Sequence, residues 1–217
     1  MEKKDFIQGA YNTLIEELGP QKWWPADSPW EVIVGAILTQ NTNWKNVRKA
    51  IENLKGAGLF SIENIVSADI KDISELIKPS GYFNQKAKKL KAIAIHIKRN
   101  YGYDLNELFK KPVDELRAEL LSIWGIGKET ADSIILYAAE KPVFVVDRYT
   151  IRILSRHGLI DDDYEYDDIQ KLFIETLPKD TRIYNEYHAL LVNIGKNYCL
   201  KKEPRCENCP LGIMLDR

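Results

Sequence analysis

Basic residues are not in excess in this chain. Its 217 residues include 31 lysines and arginines against 32 aspartates and glutamates, which gives a net charge of −1 at pH 7. Proteins that coat nucleic acid nonspecifically are usually strongly basic, so the composition excludes that class and leaves room only for a local basic patch. The sequence also lacks an apolar run long enough to span a membrane, and no signal peptide is recognised. We expect a cytoplasmic protein without a membrane segment.

Low-complexity linkers and internal repeats are absent as well. Apolar residues recur at helical spacing through almost every segment, and the breaks between segments fall at glycine and proline. Hydrophobic residues make up 45% of the chain, enough for a core of ordinary size. The expected fold class is all-α.

The most informative segment is a pair of glycines between two predicted helices. Gly125, Ile126 and Gly127 follow an apolar helical run, and Lys128 and Thr130 open the next helix. Glycine permits a tight turn, and the backbone N–H groups at the start of a helix bind a phosphate oxygen. A Gly-x-Gly is also common as a simple helix C-cap followed by a turn. The segment alone therefore leaves both interpretations open.

A carboxylate downstream of the turn favours the DNA-binding interpretation. Asp147 follows the apolar, strand-like residues 142–146 and precedes another helical pattern. That position predicts a helix N-cap, which aspartate also occupies for structural reasons alone.

Together these residues resemble the helix-hairpin-helix superfamily of DNA glycosylases, in its endonuclease III-like group, over nearly the whole chain. Gly125–Ala131 is similar to the family's hairpin, and Val146-Asp147 is similar to its catalytic aspartate. The resemblance implies two lobes, with a six-helix lobe at residues 21–134 and a second lobe from residues 1–20 and 135–217. It also implies that damaged double-stranded DNA binds across the cleft between them.

One departure from the family pattern concerns strand cleavage. In the lyase-competent members a lysine stands directly before the hairpin threonine, eighteen residues before the aspartate, and here that position is Glu129. A carboxylate cannot form the Schiff base that β-elimination requires. Lys128 is rotated by about 100° along the helix and is not a simple substitute. The resemblance therefore implies a monofunctional glycosylase, whose abasic product requires a separate AP endonuclease.

Tryptophans near the N-terminus narrow the expected substrate. The run containing Trp23, Trp24 and Pro25, followed later by Trp44, resembles the 3-methyladenine glycosylase branch, and Lys196 is expected near the same pocket. Alkylated purines carry positive charge, so aromatic walls bind them by stacking and cation–π attraction. Tryptophans also fill ordinary helical cores, and a surface position is the commoner explanation for such a lysine.

Two further residues are expected to contact DNA. Gln40 resembles the family residue that enters the duplex where the flipped nucleotide has left a gap, although it could simply end a helix. Lys86 lies in a lysine-rich helical pattern whose lysines are expected to point mostly outward, beside the phosphate backbone in the family's arrangement. A solvated lysine face is the commoner explanation for such a pattern.

All three cysteines lie close together near the C-terminus. Cys199, Cys206 and Cys209 form a C-x6-C-x2-C run. Such clustering suits an iron–sulfur cluster, and the family's fourth cysteine position is Leu215 here. The alternatives are an open-site or [3Fe–4S] cluster, completion of a [4Fe–4S] cluster by Asp216 or solvent, zinc with His188, or free thiols.

The function expected from these residues is removal of an alkylated purine of the 3-methyladenine type by a monomeric enzyme, associated with the nucleoid if the source is prokaryotic. Asp147 would act as a general base or as an electrostatic stabiliser of the sugar cation. Two alternatives stay open: an endonuclease III-like glycosylase for oxidised or mispaired bases, and a noncatalytic helix-hairpin-helix protein that holds DNA.

Overall fold

The structure is a computed structural model that describes residues 2–21, 23–24 and 26–215. Within those ranges the chain forms α-helices and short 3-10 helices and no strand, which confirms the all-α prediction. The α-helices are α1 (Lys3–Leu18), α2 (Pro29–Leu38), α3 (Trp44–Gly56), α4 (Ile62–Ser67), α5 (Ile70–Leu76), α6 (Phe83–Tyr101), α7 (Leu105–Phe109), α8 (Val113–Ser122), α9 (Lys128–Tyr137), α10 (Arg148–Arg156), α11 (Tyr166–Thr176) and α12 (Thr181–Asn197). The 3-10 helices are Lys78–Ser80, Cys206–Asn208 and Pro210–Met214.

The chain divides into two compact units. The first, the hairpin unit, comprises Ala26–Lys141, and the second, the aspartate unit, comprises Met1–Pro25 and Pro142–Arg217. Both boundaries fall a few residues later than positions 21 and 134, and the hairpin unit holds eight α-helices, α2 to α9, where the resemblance implies six. The later second boundary has a simple cause, because α9 continues to Tyr137.

Helix α2 lies at the centre of the hairpin unit. Every residue from Trp30 to Leu38 is buried, and the helix packs against α3, α6 and α9. Its start is set by Pro29 in the first turn and by Ser28, whose hydroxyl accepts a hydrogen bond from the Glu31 N–H at 3.2 Å. Although α2 is strongly apolar, none of the helices in the described ranges is long and apolar enough to cross a membrane.

A buried ion pair joins the two helices of the hairpin. Asp132 on α9 is fully buried. Its carboxylate accepts hydrogen bonds from Nε of Arg117 on α8 at 2.8 Å and from Nη2 of the same residue at 3.2 Å. This two-point contact fixes the orientation of both side chains as well as their distance. The pair therefore holds α8 and α9 at the spacing that the turn between them requires.

The aspartate unit is built around a cluster of aromatic rings. Phe144 stacks on Phe173 with their centroids 3.8 Å apart, and the edges of Tyr184 and Tyr187 pack against Phe144 at 5.8 and 5.9 Å. Tyr187 also donates a hydrogen bond to the carbonyl of Ile7 at 2.9 Å. That bond ties α12 to α1, so residues from both ends of the sequence share one core.

Residues 142–146, which the sequence predicts to be strand-like, form no regular secondary structure. Their backbone is partnered by side chains instead: Nε2 of Gln170 donates to the Phe144 carbonyl at 2.6 Å, and the Val146 N–H donates to Oη of Tyr166 at 3.3 Å. Buried backbone groups need such partners. Two residues of α11 thus fix the path of the chain into α10.

The Arg117–Asp132 pair gives a test of the hairpin's stability. Replacing Arg117 by methionine removes the positive partner of a fully buried carboxylate, and we expect the free energy of unfolding to fall by about 3 kcal/mol. Urea unfolding measures the change. Lys110→Met, which breaks an exposed pair with Glu107 in the same unit, is the control and should leave stability nearly unchanged. Equal effects of the two substitutions would contradict the role assigned to the buried pair.

Candidate active site and DNA-binding elements

Asp147 is the N-cap of α10, as the sequence predicts. Its Oδ1 accepts hydrogen bonds from the backbone N–H of Thr150 at 2.8 Å and from the Thr150 hydroxyl at 3.0 Å. The side chain lies where the N–H groups of the first helical turn carry partial positive charge. Asp147 itself is buried, with 9% of its surface exposed.

His188 lies beside the same carboxylate. Its Nε2 is 3.6 Å from Oδ2 of Asp147, and the residue is buried on α12. Burial alone would raise the pKa of Asp147, but His188 and the two hydrogen bonds from Thr150 outweigh it and lower the pKa below its ordinary value. The site therefore keeps a buried carboxylate ionised.

Lys196 and Trp23 are also in the aspartate unit. Nζ of Lys196 lies 5.2 Å from the centroid of the Trp23 ring, and the rings of Trp23 and Trp24 meet edge to face at 6.3 Å. Partial burial lowers the pKa of Lys196, although the negative charge of Asp147 raises it. The Trp23 indole N–H is buried and has no hydrogen-bond partner among the described residues. Pro25, predicted for the same pocket, lies outside those residues.

A glycine lets α10 and α12 approach closely beside Asp147. A β-carbon on Gly195 would lie 2.2 Å from Cδ1 of Tyr149, so any other residue would push the two helices apart. Arg152 reinforces the contact by donating to the carbonyls of Gly195 at 2.8 Å and Cys199 at 2.7 Å. The same helix pair thus positions both the aspartate and the start of the cysteine segment.

The hairpin in the other unit has the expected glycine turn. Gly125 has φ +86°, and its open face packs against Lys89, whose Cγ a β-carbon there would approach to 2.5 Å. Gly127 is the N-cap of α9, and it has no side chain to cap the helix. Gly127 and Lys128 are exposed, whereas Ile126 is buried and uses its N–H within the turn, donating to the Ile123 carbonyl at 3.1 Å.

Gln40 is held by two side chains of the hairpin unit. Its Nε2 donates to the hydroxyl of Thr130 at 2.9 Å, and its Oε1 accepts from Nζ of Lys89 at 2.5 Å. Thr130 is buried, so its hydroxyl serves Gln40 from inside the protein. Trp44, predicted to share a pocket with Trp23, is the first residue of α3 and belongs to the hairpin unit.

The expectation that Lys86 points outward toward phosphate is wrong. Its side chain is 2% exposed, and Nζ donates to the carbonyls of Leu38 at 2.8 Å and Ser80 at 2.6 Å. Lys88 on the same helix is exposed, and the lysine-rich pattern of α6 does not reveal which lysine is buried. The carbonyls of the last residues of two helices accept hydrogen bonds from the ammonium group, which turns the side chain inward.

The three cysteines line one pocket of the aspartate unit. Cys199, Cys206 and Cys209 face it together with Arg156, His157 and Leu215. Nη1 of Arg156 donates to Sγ of Cys199 at 3.2 Å. Burial raises the pKa of Cys209, and the charges of the Cys199 and Cys206 thiols add to the rise.

The pocket bears on the metal alternatives. His188 is beside Asp147 and does not line the pocket, which speaks against zinc held by three cysteines and His188. Asp216 lies outside the described residues. Among those residues, no group of three or more histidine, cysteine, aspartate or glutamate side chains is arranged to hold a metal ion. Sequence reasoning missed His188 as the neighbour of Asp147 and His157 as a neighbour of the cysteines, because both contacts depend on helix packing.

Comparisons with known proteins show which family the chain resembles. A family model described as HhH-GPD superfamily base excision DNA repair protein matches residues 34–179. A protein of Methanocaldococcus jannaschii, provisionally named a DNA repair glycosylase, is 50% identical over 211 residues, covering 96% of this chain and 95% of the relative. Endonuclease III of Thermotoga maritima is 27% identical over 206 residues, covering 90% of this chain and 89% of the relative.

Solved structures show the same fold. Endonuclease III in a non-covalent complex with DNA has a TM-score of 0.84 at 19% identity, covering 100% of this chain and 96% of that one. The 3-methyladenine DNA glycosylase of H. pylori, bound to 1,N6-ethenoadenine, has a TM-score of 0.76 at 29% identity, covering 89% and 97%. The fold is thus that of the helix-hairpin-helix DNA glycosylases. The chain belongs to the HhH-GPD superfamily of base excision DNA repair proteins, and it is a DNA-binding glycosylase of that superfamily.

The lowered pKa of Asp147 predicts how acid affects stability. The folded pKa is below the unfolded value of 3.8, so the stabilisation by this carboxylate is complete above pH 3.8 and is lost as the pH falls through the folded pKa. Urea unfolding of the wild type and of Asp147→Asn, at neutral pH and below pH 3.8, measures the stabilisation that the carboxylate contributes. We expect the difference in unfolding free energy between them to shrink with acidity, and a difference that stays constant or grows would contradict the assignment.

Proposed function

We propose that this protein is a monofunctional glycosylase for alkylated purines of the 3-methyladenine type. The observation that carries the proposal is the buried, ionised carboxylate of Asp147, with Lys196 and Trp23 in the same unit. The likeness to the H. pylori 3-methyladenine glycosylase, at 29% identity, supports this substrate class. DNA containing the damaged base would be held through the exposed turn at Gly127 and Lys128, with Gln40 filling the gap left by the flipped nucleotide.

The chemistry that suits Asp147 is electrostatic. As the N-glycosidic bond breaks, its electron pair leaves with the base and the sugar gains positive charge at C1′. A fixed carboxylate stabilises that charge, and water then adds to C1′ and releases a proton. A lowered pKa makes Asp147 a weak proton acceptor, so we favour stabilisation of the sugar cation over general base catalysis. A cationic 3-methyladenine leaves as a neutral base and needs no strong acid.

Aromatic rings would supply recognition of the base. The Trp23 and Trp24 rings offer π faces and edges to a flipped purine, and a positively charged base gains about 1–3 kcal/mol per stacked contact. The buried indole N–H of Trp23, which lacks a partner among the described residues, is a donor that a purine nitrogen or a water could satisfy. Trp44 and Pro25 remain predicted members of the pocket.

Glu129 supports the absence of lyase activity. It occupies the first turn of α9, at the position where the lyase-competent family members carry lysine, and it is exposed. A carboxylate there cannot attack C1′ to form an imine. The product would be an intact abasic strand for a separate AP endonuclease, with the glycosylase acting as a monomer in the cytoplasm or on the nucleoid.

The test is release of free base from alkylated duplex DNA by the wild type and by Asp147→Asn, with borohydride present in parallel samples. We expect release of 3-methyladenine by the wild type, a loss on the order of a hundredfold or more in the variant, and no trapped covalent complex. Thr176→Val, a hydroxyl deletion on α11 of the same unit, is the control and should retain activity.

Two results would overturn parts of this proposal. Release of oxidised or mispaired bases but not alkylated purines, in a panel of duplexes, would replace the substrate class. A borohydride-trapped complex would contradict the monofunctional assignment, and loss of trapping in Lys196→Met would identify the amine responsible. Binding of DNA without release of any base would favour a noncatalytic role.

We further propose that the cysteine pocket holds an iron–sulfur cluster through Cys199, Cys206 and Cys209. The three thiols line the same pocket, and cysteine thiolates are the usual ligands of such clusters. Leu215 lines the pocket but cannot be a ligand, so the fourth iron site would be open or the cluster would be [3Fe–4S]. A bound cluster would be structural, fixing the segment that follows α12.

The proposed cluster is tested by measuring the iron and sulfide content of protein that has been purified and reconstituted without oxygen. We expect both elements in the wild type and less in Cys206→Ser, which removes one thiolate ligand. Leu215→Cys should slow the loss of iron to a chelator, whereas the control Ile213→Cys should not, because Ile213 is 84% exposed and does not line the pocket. Reconstituted protein without iron would reject the cluster and direct the search to zinc or free thiols.

A further inference from the structure

Lys86 is an unusually placed lysine in the middle of the hairpin unit. Its side chain is 2% exposed, and Nζ donates hydrogen bonds to two backbone carbonyls, those of Leu38 and Ser80. Burial lowers its pKa to about 8, with a smaller contribution from the charge of Lys89. The described residues show no carboxylate hydrogen-bonded to Nζ, so backbone dipoles hold the ammonium group.

The two carbonyls belong to the last residues of two separate helices. Leu38 ends α2 and lies two residues before Gln40, in the segment that we call the glutamine loop, residues 39–43. Ser80 ends a 3-10 helix and precedes Gly81 and Tyr82, which both have positive φ, of 68° and 47°. One ammonium group therefore fixes the beginning of the glutamine loop relative to the segment before α6.

The lysine has both a cost and a benefit for stability here. Burial of an ammonium group carries a large desolvation penalty, while Nζ supplies a donor to two backbone carbonyls that an apolar side chain of similar length would leave without one. What an apolar side chain cannot do is bind two carbonyls at fixed distances. The lysine is thus suited to setting the position of the backbone.

A second lysine of α6 contacts the side chain of the glutamine loop. Nζ of Lys89 donates to Oε1 of Gln40, and Nε2 of Gln40 donates to the Thr130 hydroxyl. Lys89 orients the Gln40 side chain, and Lys86 anchors the main chain that carries it. Both lysines therefore act on Gln40. The proposed function needs a defined direction for this side chain, because a gap-filling residue must enter the duplex at one place.

We propose that Lys86 is a positioning residue for base extrusion, which acts by anchoring the glutamine loop so that Gln40 enters the DNA. The inference rests on the proposed function, because it assumes that Gln40 fills the gap. It predicts that loss of Lys86 impairs extrusion without removing a phosphate contact, since the buried ammonium cannot reach DNA.

The experiment compares Lys86→Met with the wild type in three measurements. The first is affinity for undamaged duplex, the second is the fluorescence rise of 2-aminopurine at a mismatch when protein binds, and the third is single-turnover release of 3-methyladenine. We expect nearly unchanged affinity, and a loss on the order of tenfold in release at saturating protein together with a reduced fluorescence rise, because small misplacements of a working group have large effects on rate.

The matched control is Lys88→Met, the same substitution at an exposed lysine of the same helix. It should weaken affinity for duplex slightly and leave release at saturating protein unchanged. Lys86→Arg keeps the charge and the donors, so it should retain more extrusion than Lys86→Met. If Lys86→Met does not fold, Lys86→Gln, which loses the charge but keeps a donor, replaces it in every comparison.

A double substitution separates positioning from general destabilisation. If Lys86 acts through Gln40, adding Lys86→Met to Gln40→Ala should cause little further loss of extrusion, whereas a purely structural role would give additive losses. Additive losses, or wild-type extrusion in Lys86→Met, would overturn the inference. A wild type that neither unstacks 2-aminopurine nor releases base would instead overturn the proposed function.

Discussion

The burial of one ionised carboxylate is the constraint on which the aspartate unit depends. Asp147 is tolerable in the interior because the first turn of α10 and the Thr150 hydroxyl donate to it and because His188 lies beside it. These partners require α10 to start at that residue and to pack tightly on α12, which Gly195 permits. Residues 142–146, directly before Asp147, must also be held by α11. Contacts of α10, α11 and α12 together keep one negative charge in place.

The hairpin unit instead holds backbone groups of the glycine turn and the amide side chain of Gln40 in fixed directions. Gly127 starts α9 without a capping side chain, and the Arg117–Asp132 pair holds the two hairpin helices together behind it. Gln40 is oriented by Thr130 and Lys89, so the hairpin helix and α6 both contribute to its position. Lys86 and Lys89 of α6 bond to groups within this unit, so part of the lysine-rich pattern of α6 serves contacts inside the protein.

The proposed chemistry follows from the ionised state of the Asp147 carboxylate. A carboxylate with a lowered pKa stabilises a cation better than it removes a proton, and a substrate base that is already charged leaves without strong acid assistance. Glutamate at position 129 is consistent with this, because no amine is required at that point of the hairpin. The cysteine pocket is connected to the site through Arg152, which bonds the carbonyls of both Gly195 and Cys199. A cluster in the pocket would thus stabilise the end of the helix that carries His188 and Lys196.

The sequence by itself determined the helical class, the glycine turn before α9, the N-cap position of Asp147 and the grouping of the three cysteines. Each of these follows from local rules of helix spacing, capping and turn chemistry, which involve residues near one another in the chain. Only the tertiary structure decided that His188 is the neighbour of Asp147, that His157 faces the cysteines and that Lys86 is buried while Lys88 is exposed. These outcomes depend on which helix faces meet. Lysine spacing along α6 cannot reveal that two distant carbonyls need a donor inside the protein.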